Sequence, residues 1–202
     1  MARVLNRAPD WMPERCHFAV PWHGCTNLDR RGIEEAHGVD LAFSRLDLDF
    51  GRGFYMTTLR RQAEHWAVRR FDSRNVEKMN NQPVVLRFRL SRFELAQLRS
   101  LHFVLAGYDD EDYWSLVQHC RTSKAARGAA PAVINDHGGP IHEIGHWWFD
   151  MVSGPVVADW KQRAVLQGMD QFSFHTNAGV ALLNDAVLSG DPERYSCLPI
   201  HD

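Results

Sequence analysis

Residues 83–90 (PVVLRFRL) alternate, with Val84, Leu86, Phe88 and Leu90 on one side and Val85, Arg87 and Arg89 on the other. A period of two predicts a strand with one face turned to a core. Residues 59–71 follow a different period. There Leu59, Ala63, Trp66, Ala67 and Phe71 recur near the i, i+4, i+7 spacing of a half-buried helix. Arg60, Arg61, Glu64, Arg69 and Arg70 fill most of the other face, so the pattern puts Trp66 on the inner side. Upstream, Gly51 and Gly53 flank Arg52 and predict a tight bend. Phe54, Tyr55 and Met56 have the β-propensity of a short strand, and Thr57 and Thr58 are suited to cap the helix.

The remaining pattern is mixed. Residues 16–23 (CHFAVPWH) predict a strand running into Gly24, with Pro21 at its edge or end. Residues 26–48 offer a short helix and then a loop. Ser91 to Glu94 has the form of a capping box before a short helix at 95–98. Residues 101–105 predict another strand. Residues 109–119 open acidic, as a helix N-terminus does, and bury Tyr113, Trp114 and Val117. Residues 122–140 read as a surface loop and 146–157 as an apolar, strand-forming run. Residues 171–176 (QFSFHT) alternate, and 178–188 close the pattern as a helix. Strands and helices interleave without βαβ regularity, which predicts an α+β domain. The expected division is an N-terminal arm at 1–15, one domain at 16–190 and a C-terminal tail at 191–202.

Composition acts mainly by exclusion. A net charge of −2 over 202 residues leaves no broad basic footprint for non-specific nucleic-acid binding. Four cysteines without a CxxC pair argue against a disulfide scaffold and for a reducing compartment. No apolar run approaches the roughly 18 residues of a membrane span, and the charged N-terminus lacks a signal-peptide core. The expected location is the cytoplasm, or a target-cell cytoplasm reached through an export machine that needs no such signal.

GRGFYMTT, with a second aromatic eleven residues after Tyr55, resembles the nicotinamide-binding segment of ADP-ribosyltransferases of the diphtheria-toxin and poly(ADP-ribose) polymerase type. The resemblance implies that nicotinamide stacks between Tyr55 and Trp66. It also implies a strand ending in His-Gly upstream, which His23 and Gly24 match; the histidine would hold a ribose hydroxyl and the glycine backbone the carboxamide. A late strand beginning with a catalytic glutamate is matched by Gln171, a departure, because an amide carries no charge and cannot act as a base. Asp170 and Asp49 are the nearest substitute carboxylates. Ala63 stands where polymerase-type members have a serine. A closer likeness is to a bacterial branch sharing DFGxGFYxT, QAxxWA, a GPVA-like strand end and QxSFHT, which occur here in order from Asp49 to Thr176. The simpler alternative assigns both rings to the core.

A separate motif, HEIGH, places His142 and His146 at i and i+4 with Glu143 between them, the pattern of a zinc hydrolase. Gly145 weakens a helix there by about 0.8–1 kcal/mol relative to alanine.

The resemblance implies an α+β ADP-ribosyltransferase-like domain with a split, mainly antiparallel β core. The expected activity is NAD-dependent mono-ADP-ribosyl transfer, with NAD as co-substrate, nicotinamide released, no metal, and a protein or nucleic acid as acceptor. His23, Tyr55 and Gln171 are the expected catalytic residues. His23, Gly24, Arg52, Tyr55, Thr57 and Trp66 are expected to bind NAD, Arg52 and Thr57 through phosphate and ribose. Bacterial relatives of this kind are often toxins or effectors, so an immunity protein or antitoxin is an expected partner. The rival readings are a zinc hydrolase using HEIGH and a non-catalytic reader of NAD or ADP-ribose.

Overall fold

The computed structural model of the chain describes residues 17–36, 38–45, 47–73, 81–103, 110–122 and 149–200. Strand β1 (Phe18–Ala19) is cut short by Pro21, and β2 (Trp22–Thr26) follows. At Thr26 the chain turns into α1 (Asn27–Glu35), because the threonine side chain accepts from the Asp29 amide while Asp29 reaches back to Thr26. A 3-10 turn (Leu41–Phe43), the glycine bend and β3 (Phe54–Met56) lead to α2 (Arg60–Ser73). Then come β4 (Pro83–Phe88), β5 (Leu90–Ser91), α3 (Arg92–Leu95), β6 (Ser100–His102) and α4 (Glu111–Thr122). The chain continues with β7 (Met151–Asp159), β8 (Ala164–Phe174), α5 (Asn177–Leu188) and β9 (Tyr195–Pro199).

The architecture is α+β. One sheet has the order β2-β4-β9 and is antiparallel throughout. A second has the order β3-β8-β7-β6, antiparallel except for the β6–β7 pair. The two meet where Trp22 and Thr57 exchange backbone hydrogen bonds of 2.8 and 2.9 Å. One apolar core, with Leu86, Phe88, Met56, Phe174 and Leu183, fills the space between the sheets and α5. The other gathers α4 around Phe50, Tyr113, Trp114 and Val152. Among the described residues no helix is long and apolar enough to cross a membrane.

Most elements fall where the patterning puts them, with four differences of note. The strand expected over 16–23 and ending at His23 and Gly24 is broken at Pro21, and β2 opens at Trp22 and runs through Gly24 to Thr26. The capped helix after Ser91 occupies 92–95 rather than 95–98. Gln171 lies inside β8, which begins at Ala164, rather than opening a strand. Residues 195–199, expected in a tail, form β9 and pair with β4 from Val84 to Phe88.

Candidate functional site

At the junction of the sheets the ring of His23 lies against Phe54, with centroids 4.2 Å apart, and its Nδ1 is 2.6 Å from the Tyr55 carbonyl oxygen. A carbonyl only accepts, so Nδ1 carries the proton and Nε2 is left with a lone pair. Nε2 makes no hydrogen bond among the described residues. Burial disfavours the imidazolium and lowers the His23 pKa to about 4; the Arg70 charge acts in the same direction, against the Tyr55 hydrogen bond and Asp29. A neutral acceptor therefore stands near the start of β2 at ordinary pH.

Next to it, Gly24 lies directly beneath α2. A Cβ there would run into the Ala63 carbonyl and come within 2.8 Å of the Ala67 nitrogen. That contact fixes which side of α2 is inward: Gln62, Ala63 and Ala67 are its buried residues. Trp66, expected on the inner face, is instead 39% exposed, with the Arg69 guanidinium 5.3 Å from its ring centre and His65 edge-on to it. The reason is steric, since a helix seated on a glycine has room for alanine on that side and none for an indole. Trp66 is accordingly not part of either core.

Tyr55 behaves differently from Trp66. Its hydroxyl donates to the Gly51 carbonyl at 2.8 Å and accepts from the Phe50 amide at 2.9 Å, so it ties the glycine bend to β3. Gly51 takes φ of 78° there, a conformation that favours glycine. The ring packs near Phe50 and edge-on to His175, and burial pushes the phenol pKa well above its usual value. Because the hydroxyl is committed, only the half-buried ring remains to meet a ligand.

Tyr55 pairs with Ser173 across β3 and β8, and Gln171, two residues earlier, shares that face. The Gln171 amide nitrogen donates to Asp49 Oδ2 at 2.6 Å and to the Pro155 carbonyl at 3.0 Å. Asp49 is also ion-paired through Oδ1 with Arg121 of α4, and the Val157 amide donates to its Oδ2 at 3.3 Å. Asp170, the other substitute carboxylate, is occupied as well. It accepts from the hydroxyls of Thr57 and Thr58, each at 2.5 Å, and from the Thr58 amide at 3.0 Å. Gln62 clasps the Asp170 backbone from α2, at 2.6 and 3.2 Å. Thr57, expected at a ribose, is thus buried with its hydroxyl already given to Asp170.

Arg52 sits on the bend half-buried; its Nη1 reaches the Ala42 carbonyl at 3.5 Å, and its Nε has no partner among the described residues. Behind the bend, His175 Nδ1 donates to the Arg52 carbonyl at 2.6 Å and Nε2 accepts from Ser173 Oγ at 2.7 Å. Burial lowers the His175 pKa to about 3. This histidine is enclosed and supports the bend.

His23, Gly24, Tyr55, Thr57 and Gln171 therefore belong to one neighbourhood on β2, β3 and β8. Arg52 stands on the bend that opens into β3, and Trp66 faces outward from the helix above. Arg121 was not signalled by any local pattern, because its partner Asp49 is 72 residues away. His142, Glu143 and His146 lie outside the described residues. Among the described residues no group of three His, Cys, Asp or Glu side chains is gathered as metal ligands. Two open grooves, of about 340 and 370 Å³, lie along α5 and contain none of the expected site residues.

This is a mixed α+β protein with a polar site at the seam of two sheets. Residues 30–184 match the family described as "Protein of unknown function (DUF3990)", and the chain belongs to that family. No curated protein and no solved structure matches the chain.

Proposed function

We propose that this chain is an NAD-dependent ADP-ribosyltransferase with its site at the seam between the sheets. The observation that carries the reading is the bond from His23 Nδ1 to the Tyr55 carbonyl. It draws the His-Gly strand against the strand that follows the glycine bend, with Gln171 on the Tyr55 face of the neighbouring strand. These residues follow the order of the resemblance along β2, β3 and β8, although His23, Gly24 and Gln171 lie inside their strands rather than at strand ends.

In this reading Nε2 of neutral His23 accepts from a ribose hydroxyl. The backbone at Gly24 meets the carboxamide, and the Tyr55 ring and the Trp66 indole flank the nicotinamide. Arg52 supplies a cation for the diphosphate. Thr57 acts indirectly, through Asp170. Transfer breaks the bond between nicotinamide and the ribose C1′; nicotinamide leaves with the electron pair, and an acceptor nucleophile takes the ADP-ribosyl group and loses its proton. An oxygen of Gln171 near C1′ would stabilise the cationic ribose as a dipole rather than as a charge. The acceptor is a protein or nucleic acid. If the transferase acts as a toxin or effector, an immunity protein or antitoxin is its expected partner.

One observation favours a second reading, a reader that binds NAD or ADP-ribose without cleaving it. Gln171 is uncharged, and the oxygens of both Asp49 and Asp170 are engaged. Incubation with NAD labelled in its adenosine half and a bacterial lysate separates the two. A transferase yields labelled macromolecule and free nicotinamide, and Trp66→Ala reduces both by about tenfold, the loss of one stacking contact. Dinucleotide binding without nicotinamide release selects the reader. Neither binding nor release rejects the site.

A further inference from the structure

A glutamine in a binding site is ambiguous, because its amide can present either an oxygen or two N–H groups. At Gln171 the ambiguity is removed from behind. One N–H is directed to Asp49 Oδ2 at 2.6 Å and the other to the Pro155 carbonyl at 3.0 Å. A flipped amide would set its oxygen against a carboxylate and a carbonyl, neither of which can donate. Asp49 cannot turn away, since its other oxygen is ion-paired with Arg121 and the Val157 amide holds Oδ2 at 3.3 Å. Gln171 Oε1 makes no hydrogen bond among the described residues and is not a sealed, unsatisfied atom.

We infer that Asp49 is a positioning residue that locks the Gln171 amide with its oxygen toward the site, so that position 171 selects a hydroxyl donor, such as a ribose hydroxyl of NAD. This rests on the NAD reading for the ligand's identity, while the orientation of the amide rests on the geometry alone. Asp49 touches no ligand. It acts through Gln171, and Arg121 acts through Asp49.

The test is Gln171→Glu, which sets a second carboxyl against Asp49 and Pro155. When protonated, the new side chain donates to Asp49 and keeps an oxygen toward the ligand, as glutamine does. When ionised, it meets a like charge. Its pKa is therefore raised above the unfolded value of about 4.3, and the stability and affinity it supports are lost as pH rises through the folded value. The groups facing this pair do not titrate in the same window. Burial pushes Tyr55, Tyr113 and Cys120 upward, and His175 titrates near 3.

For Gln171→Glu we expect near-wild-type affinity for NAD at about pH 5.5 and affinity about tenfold weaker by about pH 8. Its melting temperature should fall by about 5 °C over the same range relative to wild type. Adding Asp49→Asn should remove most of that pH dependence, because the asparagine can donate to the new carboxylate, an outcome that a merely structural Asp49 would not give. Gln171→Met, lacking an acceptor, should weaken NAD binding by about tenfold at every pH. A pH-independent Gln171→Glu, or a double variant as pH-sensitive as the single one, overturns the role of Asp49. If the melting shift appears but wild-type protein binds no NAD, the ribose assignment falls together with the NAD reading, and the cause lies in that reading rather than in the amide's orientation.

Discussion

His23 and His175 are both held neutral by burial, at pKa values of about 4 and about 3, but they leave different atoms free. Both nitrogens of His175 are used inside the protein, whereas His23 keeps Nε2. Their contribution to stability has a definite sign. Unfolded histidine titrates near 6.5, so below that pH the unfolded chain binds protons that the folded chain refuses. Stability is complete above about pH 6.5 and falls as pH drops toward about 4, a window that depends on these two groups. Chemical denaturation at a series of pH values should show this decline, reduced in His175→Gln. A wild-type curve flat from about pH 6.5 to about pH 4.5 would mean the imidazoles are hydrated rather than enclosed. Asp29 joins the decline only below about pH 5: despite partial burial, the Arg70 and Thr26 bonds hold its folded carboxyl well below the usual range, while the unfolded carboxyl takes up a proton at about 3.9.

Helix α2 is seated by what β2 lacks. The strand offers a glycine, the helix answers with Ala63 and Ala67, and Gln62 clamps the start of the helix to Asp170. Gly24→Ala sets a methyl against helix backbone and should cost about 2–3 kcal/mol in urea titration, with Gly32→Ala as a control whose Cβ meets nothing within 4 Å. Equal costs at the two positions would mean that α2 does not sit on β2. The same contact explains what the residue pattern could and could not convey. Hydrophobic spacing locates α2 and the residues it buries at 63 and 67, but it ranks Trp66 as more apolar than alanine and turns it inward. Only the closeness of a strand far upstream decides that the inner face must be small. Strand β4 was legible because its alternation is local. Strand β9 was not, since five residues of YSCLP carry weak alternation, and their partner β4 lies more than a hundred positions earlier. Of the proposed site, the neighbourhood of His23, Gly24, Tyr55 and Gln171 is named from motif order. The engagement of Thr57 and Asp170, and the tie from Arg121 through Asp49 to Gln171, depend on side-chain directions that no spacing encodes.

At the scale of the whole molecule the described residues form two larger sheets joined at one seam, with a small two-stranded sheet of β1 and β5 besides. The first carries the His-Gly strand and the second carries the tyrosine and glutamine strands. A backbone bridge at Trp22 and Thr57 and one imidazole bond join them. The two sheets share one apolar core with α5, and the polar groups left free, His23 Nε2 and Gln171 Oε1, occur along or beside the seam rather than in the open grooves by α5. A ligand gripping both sheets at once would need acceptors on each and an aromatic surface above, which Trp66 offers without a role in either core. The most direct test is calorimetric titration of NAD into wild-type protein and Trp66→Ala. The account predicts one site per chain and, in the variant, affinity about tenfold weaker with an unchanged melting temperature, since the indole is exposed. Absence of binding to the wild-type protein, or equal affinity in the two, would contradict it.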